Sequence, residues 1–301
     1  MLSRSLLGVL LATTGCGQSP PPPAFDGQAA LEYVRTQVAF GPRIPGTEAH
    51  RRMGDWLDSL LRVAADTVLV QAWEHRAASG AVLPLRNFIA RFNPSARQRL
   101  LFLAHWDTRP RSDGPSSRDT TLPVPGANDG ASGVAILLGV ADQLGVNPPS
   151  VGVDLLFVDG EDYGDWTART DVLIGSEYYA KNPLPGPKPE FAVLFDMVGD
   201  AELRIEREGY SVTGAPDVVE LVWRTAADLG YDTIFVSESG TTVTDDHIPL
   251  QQAGIRAIDV IDFDYGPGNS YWHTPDDTVD KVSARSLGIV GQVALGIIWK
   301  Q

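Results

Sequence analysis

A single cysteine, Cys16, in 301 residues excludes an internal disulfide and takes thiolate out of any metal site in the chain. Positive charge is also scarce. Twenty-four Lys and Arg stand against 38 Asp and Glu, a formal charge of −14. Such a surface is a poor partner for nucleic acid, and the acidity otherwise means solubility. Long apolar runs are missing too. The stretch Leu6–Ala12 is too short for a stop-transfer helix, and a closing helix over 283–299 is too short for a span. There is no P-loop, no Gly-x-Gly-x-x-Gly after a strand and no Gly-x-Ser-x-Gly elbow. Phosphate-cradling, dinucleotide and serine-nucleophile chemistry therefore have no foothold.

The start of the chain reads as a leader. Met1–Arg4 is short and basic, an apolar stretch follows, and Gly15 precedes Cys16. This resembles a bacterial lipoprotein signal over 1–15, with lipid expected on Cys16; position 13 is Thr where Leu is usual. An ordinary leader with a coincident cysteine is the other reading. Residues 16–27 hold four consecutive prolines and read as a stiff tether. The catalytic domain is expected over 28–301, placed at a bacterial cell envelope, outer membrane or periplasm-facing, and otherwise secreted.

With 43% hydrophobic residues, that stretch can bury a full core. Helices are expected at 28–40, 47–61, 131–144, 216–229 and 283–299. In the second, Met53, Trp56, Leu57, Leu60 and Leu61 fall on one face after a Thr47 cap. Strands are expected at 66–73, 86–92, 99–104, 153–158, 191–196, 233–237 and 256–261. The runs at 153–158 and 191–196 are apolar throughout, as strands buried on both faces are. The alternation predicts a three-layer α/β/α sandwich on a central mixed, mostly parallel sheet.

What is present is acid and histidine at the ends of those runs. His105 closes one strand and Asp196 another. Glu161-Asp162 follow Leu-Leu-Phe-Val-Asp-Gly, Asp129 sits in Gly-Ala-Asn-Asp-Gly, and Asp245-Asp246-His247 and His273 come later. Histidine and carboxylate without cysteine are ligands for Zn²⁺, and strand ends are where open α/β sheets place their ligands. Each residue has a plainer reading. Asp129 could simply cap the 131–144 helix. Asp107 could be a turn residue or the partner that orients His105. His50 and His75 read as surface or structural, and Asp276-Asp277 as a turn. Glu161-Asp162 is the strongest signal, since adjacent carboxylates are costly to bury without partners; one can bind metal while its neighbour moves protons.

These motifs resemble the zinc-dependent exopeptidases, and within them the animal-type glutaminyl-peptide cyclotransferases. The stretches that carry this are Leu85–Arg97, Ala104–Thr108, Phe157–Asp162, Thr244–Pro249 and Tyr271–Thr274, and the likeness runs from about residue 28 to 300. The resemblance implies one zinc on Asp129, Asp162 and His273, with Glu161 as general acid/base. It implies that Asp196 and Asp245 share a hydrogen-bond network with Glu161, and that Trp166 and Trp272 line the substrate pocket. Peptide or protein N-termini would be the substrates. In an aminopeptidase, the alternative reading, His105 and Asp196 would bind a second zinc. A binding lipoprotein with a degenerate site is a third class. The resemblance also implies a strained backbone at Asp129, with a cis bond to Gly130. Two departures stand out: Asp162 replaces the usual Glu, and 262–270 enlarges the loop before His273. Oligomeric state and the peptide processed are not legible.

Overall fold

The computed structural model describes residues 21–301; the leader and Cys16 lie outside the described residues. Two helices open the fold, α1 (Gly27–Ala39) and α2 (Glu48–Ala64). In α2, Met53, Leu57 and Leu61 are buried, and the Thr47 hydroxyl accepts from His50 N. That is the cap and the stripe the spacing predicts. An antiparallel pair follows, β1 (Thr67–Arg76) and β2 (Val82–Phe92). Exposure alternates along β1, which lies at the sheet edge.

Four strands continue the sheet: β3 (Arg99–His105), β4 (Gly152–Val158), β5 (Phe191–Asp196) and β8 (Ala257–Ile261). Every residue in them is buried, and they pair in parallel, β4 with β3, β3 with β5 and β5 with β8. The order is β1-β2-β4-β3-β5-β8. The chain thus steps from β3 to β4 on one side and returns to β5 on the other. That reversal opens a crevice at the C-terminal end of β3, where such sheets bind ligands.

Helix α3 (Ala131–Val146) crosses from β3 to β4. Together with α1, α2, α6 (Pro216–Asp228) and α8 (Ala284–Trp299) it covers one face and encloses the larger core. A smaller core on the other face lies under α4 (Ile174–Lys181) and α7 (His247–Gln252). The expected three-layer sandwich and mostly parallel sheet are present. Among the described residues no helix is long and apolar enough to cross a membrane.

Two expectations need correction. The 233–237 strand, observed as β7 (Phe235–Ser239), does not join the sheet; it pairs with β6 (Ile205–Arg207) in a separate ribbon. Its outer residues Ser237–Ser239 are exposed, which a central strand would not tolerate. No peptide bond among the described residues is cis, so Asp129–Gly130 is trans. The unusual backbone lies one residue on. Gly130 has φ +90°, and a Cβ there would lie 2.9 Å from the Asp107 carbonyl oxygen and 3.1 Å from the His105 ring. Only glycine fits such a position without strain.

Candidate active site

The C-terminal ends of the parallel strands deliver the site. His105 is the last residue of β3 and Asp196 the last of β5. Glu161 and Asp162 follow β4 across the turn Asp159-Gly160, and Asp129 precedes α3. His273 and Trp272 come from the long loop after β8, and Asp245 lies just before α7. These residues, from as far apart as 105 and 273, are brought to one cavity or its floor, whereas His247 lies 3.4 Å from Glu208 and Asp246 accepts from the Ser176 hydroxyl.

Two sets of three ligand atoms share Asp129. One set is Asp129, Asp162 and His273, and the other is His105, Asp129 and Asp196. In the first, His273 Nε2 lies 3.5 Å from Asp129 Oδ2 and 3.6 Å from Asp162 Oδ1. Tetrahedral zinc with bonds near 2.0–2.1 Å sets its ligand atoms about 3.3 Å apart. Asp162 Oδ2 is buried with no donor, an orphan that a cation would satisfy. The residues therefore fit the metal. In the second set His105 Nε2 lies 3.1 Å from Asp129 Oδ1 and 3.2 Å from Asp196 Oδ1. Those distances suit either a hydrogen bond from His105 or a shared ion.

Electrostatics separate the carboxylates. Burial, with the Asp162 charge beside it and Asp245 and Asp246 behind, holds Glu161 well above the usual carboxylate range. Burial pushes Asp162 up to about 6. Burial also opposes ionisation of Asp129, but the His105 hydrogen bond and the His105 and His273 charges outweigh it and lower its pKa. Burial raises Asp196 and Asp245, the latter strongly. Two neighbouring carboxyl groups, one poised to hold a proton and one kept ionised, are the usual mark of acid–base work.

Around this centre are groups the sequence left out or read otherwise. Arg109 is buried and donates to Asp162 Oδ1 at 2.6 Å and to both oxygens of Asp113 at 2.6 and 2.5 Å. Asp113 in turn faces His273 Nδ1 at 3.2 Å. One arginine thus ties two ligands together through their outer hydrogen bonds, which fixes ring and carboxylate orientation. Asp107 is buried, and its oxygens accept from Glu161 N at 3.0 Å and Asp162 N at 3.1 Å. Its His105 contact, at 3.6 Å, is the longer one. Asp107 thus sets the acidic turn more than the histidine.

Asp277 is no surface turn. It is fully buried and accepts from Asn128 N, Asp129 N and the Tyr265 hydroxyl, pinning the Asp129 loop. His50 and His75 do have carboxylate partners, Asp159 at 2.8 Å and Asp171 at 2.7 Å. His50 is buried and stacks on Trp106, so its role is structural and internal. A signal for Arg109 was there in hindsight, an Arg four residues before an Asp just past the His105 strand. Asp277 had none.

The cavity holds about 270 Å³. It lies below the ~300–1,000 Å³ of pockets that take drug-sized ligands. Trp166 and Trp272 wall it over Asp129, Glu161 and His273. Trp272 also stacks on His273 at 3.9 Å. His273 and Met197, the residue after Asp196, hold φ of +52° and +47°. Such backbone costs about 1–3 kcal/mol per residue and gathers at functional sites.

Against known proteins, the model described as peptidase family M28 matches residues 87–298. A solved structure of Bacteroides thetaiotaomicron glutaminyl cyclase bound to N-acetylhistamine superposes with a TM-score of 0.88 at 37% identity, over 93% of this chain and 99% of that one. A Zn-dependent exopeptidase from Parabacteroides distasonis gives a TM-score of 0.88 at 38% identity, with 93% and 99% covered. The Drosophila melanogaster glutaminyl-peptide cyclotransferase is 25% identical over 281 residues, 83% of this chain and 75% of its own length.

Proposed function

The chain belongs to peptidase family M28, and from that membership we propose that it is a glutaminyl-peptide cyclotransferase, closing N-terminal glutamine to pyroglutamate with release of ammonia. The observation that carries the reading is the small tryptophan-walled cavity over Asp129, Glu161, Asp162 and His273. It has room for one side chain folded back on its own amine.

Asp129, Asp162 and His273 would hold one zinc, which when bound would polarise the glutamine γ-carbonyl. The remaining work belongs to the chain. Trp166 and Trp272 confine the side chain so that amine and carbonyl meet in ring-closing geometry, the source of much of the rate. Glu161 takes a proton from the attacking α-amine and returns it to the departing nitrogen. Its raised pKa, set by burial and the Asp162 charge, lets it hold the proton between the two halves of that transfer. Asp245 and Asp196 surround Glu161 with negative charge and help set its pKa. His105, held by Asp129 and Asp196, fixes both carboxylates in place.

A two-zinc aminopeptidase is the second reading, favoured by the His105–Asp129–Asp196 set. There Glu161 would activate water. The two part on simple chemistry. Gln-initiated peptides should release ammonia and lose their reactive amine, with one zinc per chain and Leu-initiated peptides untouched. Free leucine from Leu-peptides, with two zinc ions per chain, would select the aminopeptidase. We further propose the partition read from the sequence: a leader over 1–15, a lipid-bearing Cys16 with its tether over 16–27, and a catalytic domain from 28 held at a bacterial cell envelope.

A further inference from the structure

The end of the tether is docked, and its direction can be followed. Helix α8 starts beside the active-site end of the sheet: Ser283 N donates to Gly199 O and the Ser286 hydroxyl to Asp200 O, just past β5. It ends at Trp299. The preceding chain lies along it in reverse. Gly27 abuts Ala284 and Gly288. The Phe25 ring fills a slot between Gly291 of α8 and Gly139 of α3, where a Cβ on either glycine would overlap it. Gln292 clips the strand at both sides, accepting from Phe25 N at 2.9 Å and donating to Pro23 O at 3.1 Å. Pro21 and Pro22 then lie beside Gly296, Trp299 and Lys300. The tether therefore leaves the domain at the end opposite the cavity.

That same end carries an independent feature. Helix α3 starts at the site, beside Asp129, and runs about 24 Å to Val146. Helix α2 starts where His50 meets Asp159 and ends at Ala64. The two C-termini touch, since a Cβ at Gly145 would lie 3.0 Å from Ala64 O. Val63 and Val146 are 88% and 74% exposed, the most exposed large apolar side chains among the described residues. They sit together at the ends of α2 and α3 away from the site, the end of the domain at which the tether also leaves.

We propose that this end, with Val63 and Val146 on its surface, is a bilayer-contacting face, and that the cavity opens away from the membrane. The inference rests on the lipid-anchor reading of Cys16. Five residues from Cys16 to Pro21 reach at most about 18 Å. A domain of this length is about 50 Å across, so a mouth at its far end stays out of reach of the surface. Substrates would come from the aqueous side, as soluble or far-projecting N-termini, rather than from chains held close to the same bilayer.

The test uses the full protein purified from its membranes and returned to vesicles, with the mass of Cys16 measured first. A lipid-free Cys16 defeats the anchor reading, and this face with it. With the lipid present, Val146→Trp should add fluorescence that brominated lipids quench, whereas Arg169→Trp, at the cavity rim, should add fluorescence they do not reach. Equal quenching, or quenching only at position 169, overturns the face while leaving the anchor intact. This readout needs no activity. A Gln-peptide fixed to the same vesicles by a short spacer should be cyclised at least ~10-fold more slowly than the soluble peptide, because a link that cannot span two sites gives almost no effective concentration. Phe25→Ala with Gln292→Ala should free the tether and restore that access; soluble-peptide turnover reports that the double variant is folded. Short-spacer and soluble peptides turned over alike by the parent protein would sink the proposal. If neither peptide is cyclised, the cyclase reading fails and the quenching still decides this one.

Discussion

Glu161 and Asp162 are neighbours in sequence with different surroundings. Glu161 is held protonatable by burial and by the Asp162 charge, while Asp162 is tied to Arg109 and keeps one oxygen without a donor. We expect Glu161→Gln to fold and retain zinc but to lose at least ~10²-fold in kcat, the scale of a general base. Zinc analysis of the purified variant checks this: loss of metal would reverse the assignments of Glu161 and Asp162. Asp277 makes a second test. Asp277→Ala strips acceptors from Asn128 N and Asp129 N, and the loop that presents Asp129 loses its anchor. Zinc affinity should fall about 10–100-fold, as when outer partners of metal ligands are lost. Competition with a chelator measures it, and unchanged affinity would reduce Asp277 to a folding role. The two residues also mark what was legible. Glu161 was readable because a charged pair directly after an apolar run is costly to bury and so announces itself. Asp277 was not, because its backbone partners lie nearly 150 positions away and its own neighbours look like a turn. Arg109 had a local signal in its spacing to Asp113, but its charge acquires its full meaning only when Asp162 arrives from the next strand.

The elements were legible where burial is complete or periodic. β3, β4, β5 and α2 stand within a few residues of the expected bounds, because fully apolar runs and a 3.6-residue stripe are direct imprints of packing. The short helices α4, α5 (Gly209–Gly214) and α7 were not, since six to eight residues hold too few turns for a period to show. β7 was misassigned because its apolar start resembles a sheet strand, while its exposed end belongs to a two-stranded ribbon. Helix α3 joins element to site. Its glycine at position 133 allows it to lie against β5, and a methyl there would overlap the Phe195 carbonyl oxygen, one residue before Asp196. Gly133→Ala should therefore cost about 1–3 kcal/mol, the range for overpacking a core. It should also lower activity beyond what stability explains, because moving α3 moves Asp129 relative to Asp196. Denaturant unfolding and kinetics at a temperature where the variant is fully folded separate the two effects. A variant with parental kinetics would show that the helix position is not transmitted to the centre.

At the scale of the molecule, excess negative charge is carried inside as well as out. Burial pushes Asp246, Asp262 and Asp277 up to about 7 and Asp162 to about 6. An acid whose native pKa is raised binds more protons folded than unfolded between roughly pH 4 and 7. Its contribution is fully present below about pH 4 and is lost as pH rises through about 7. Glu208 runs the other way. Burial opposes its charge, but hydrogen bonds from His247, Ser211 and backbone N–H groups bring it down to about 2. Its contribution is present above about pH 4.5 and is lost on acidification towards 2. Metal-free protein should therefore be most stable in mild acid and lose stability from pH 5 to pH 8. Zinc reverses the trend. Its ligands must be deprotonated; Asp162 releases its proton only as pH climbs past about 6, and the carboxylates around His273 hold its proton more tightly than a free imidazole's. The rise in Tm on adding zinc to chelator-treated protein should thus be small at pH 5 and large at pH 8. Calorimetry at the two pH values, with and without metal, measures it. A metal-free protein more stable at pH 8 than at pH 5 would mean that these carboxyl groups are ionised in the fold. An equal zinc increment at both values would mean that the metal binds groups other than Asp162 and His273.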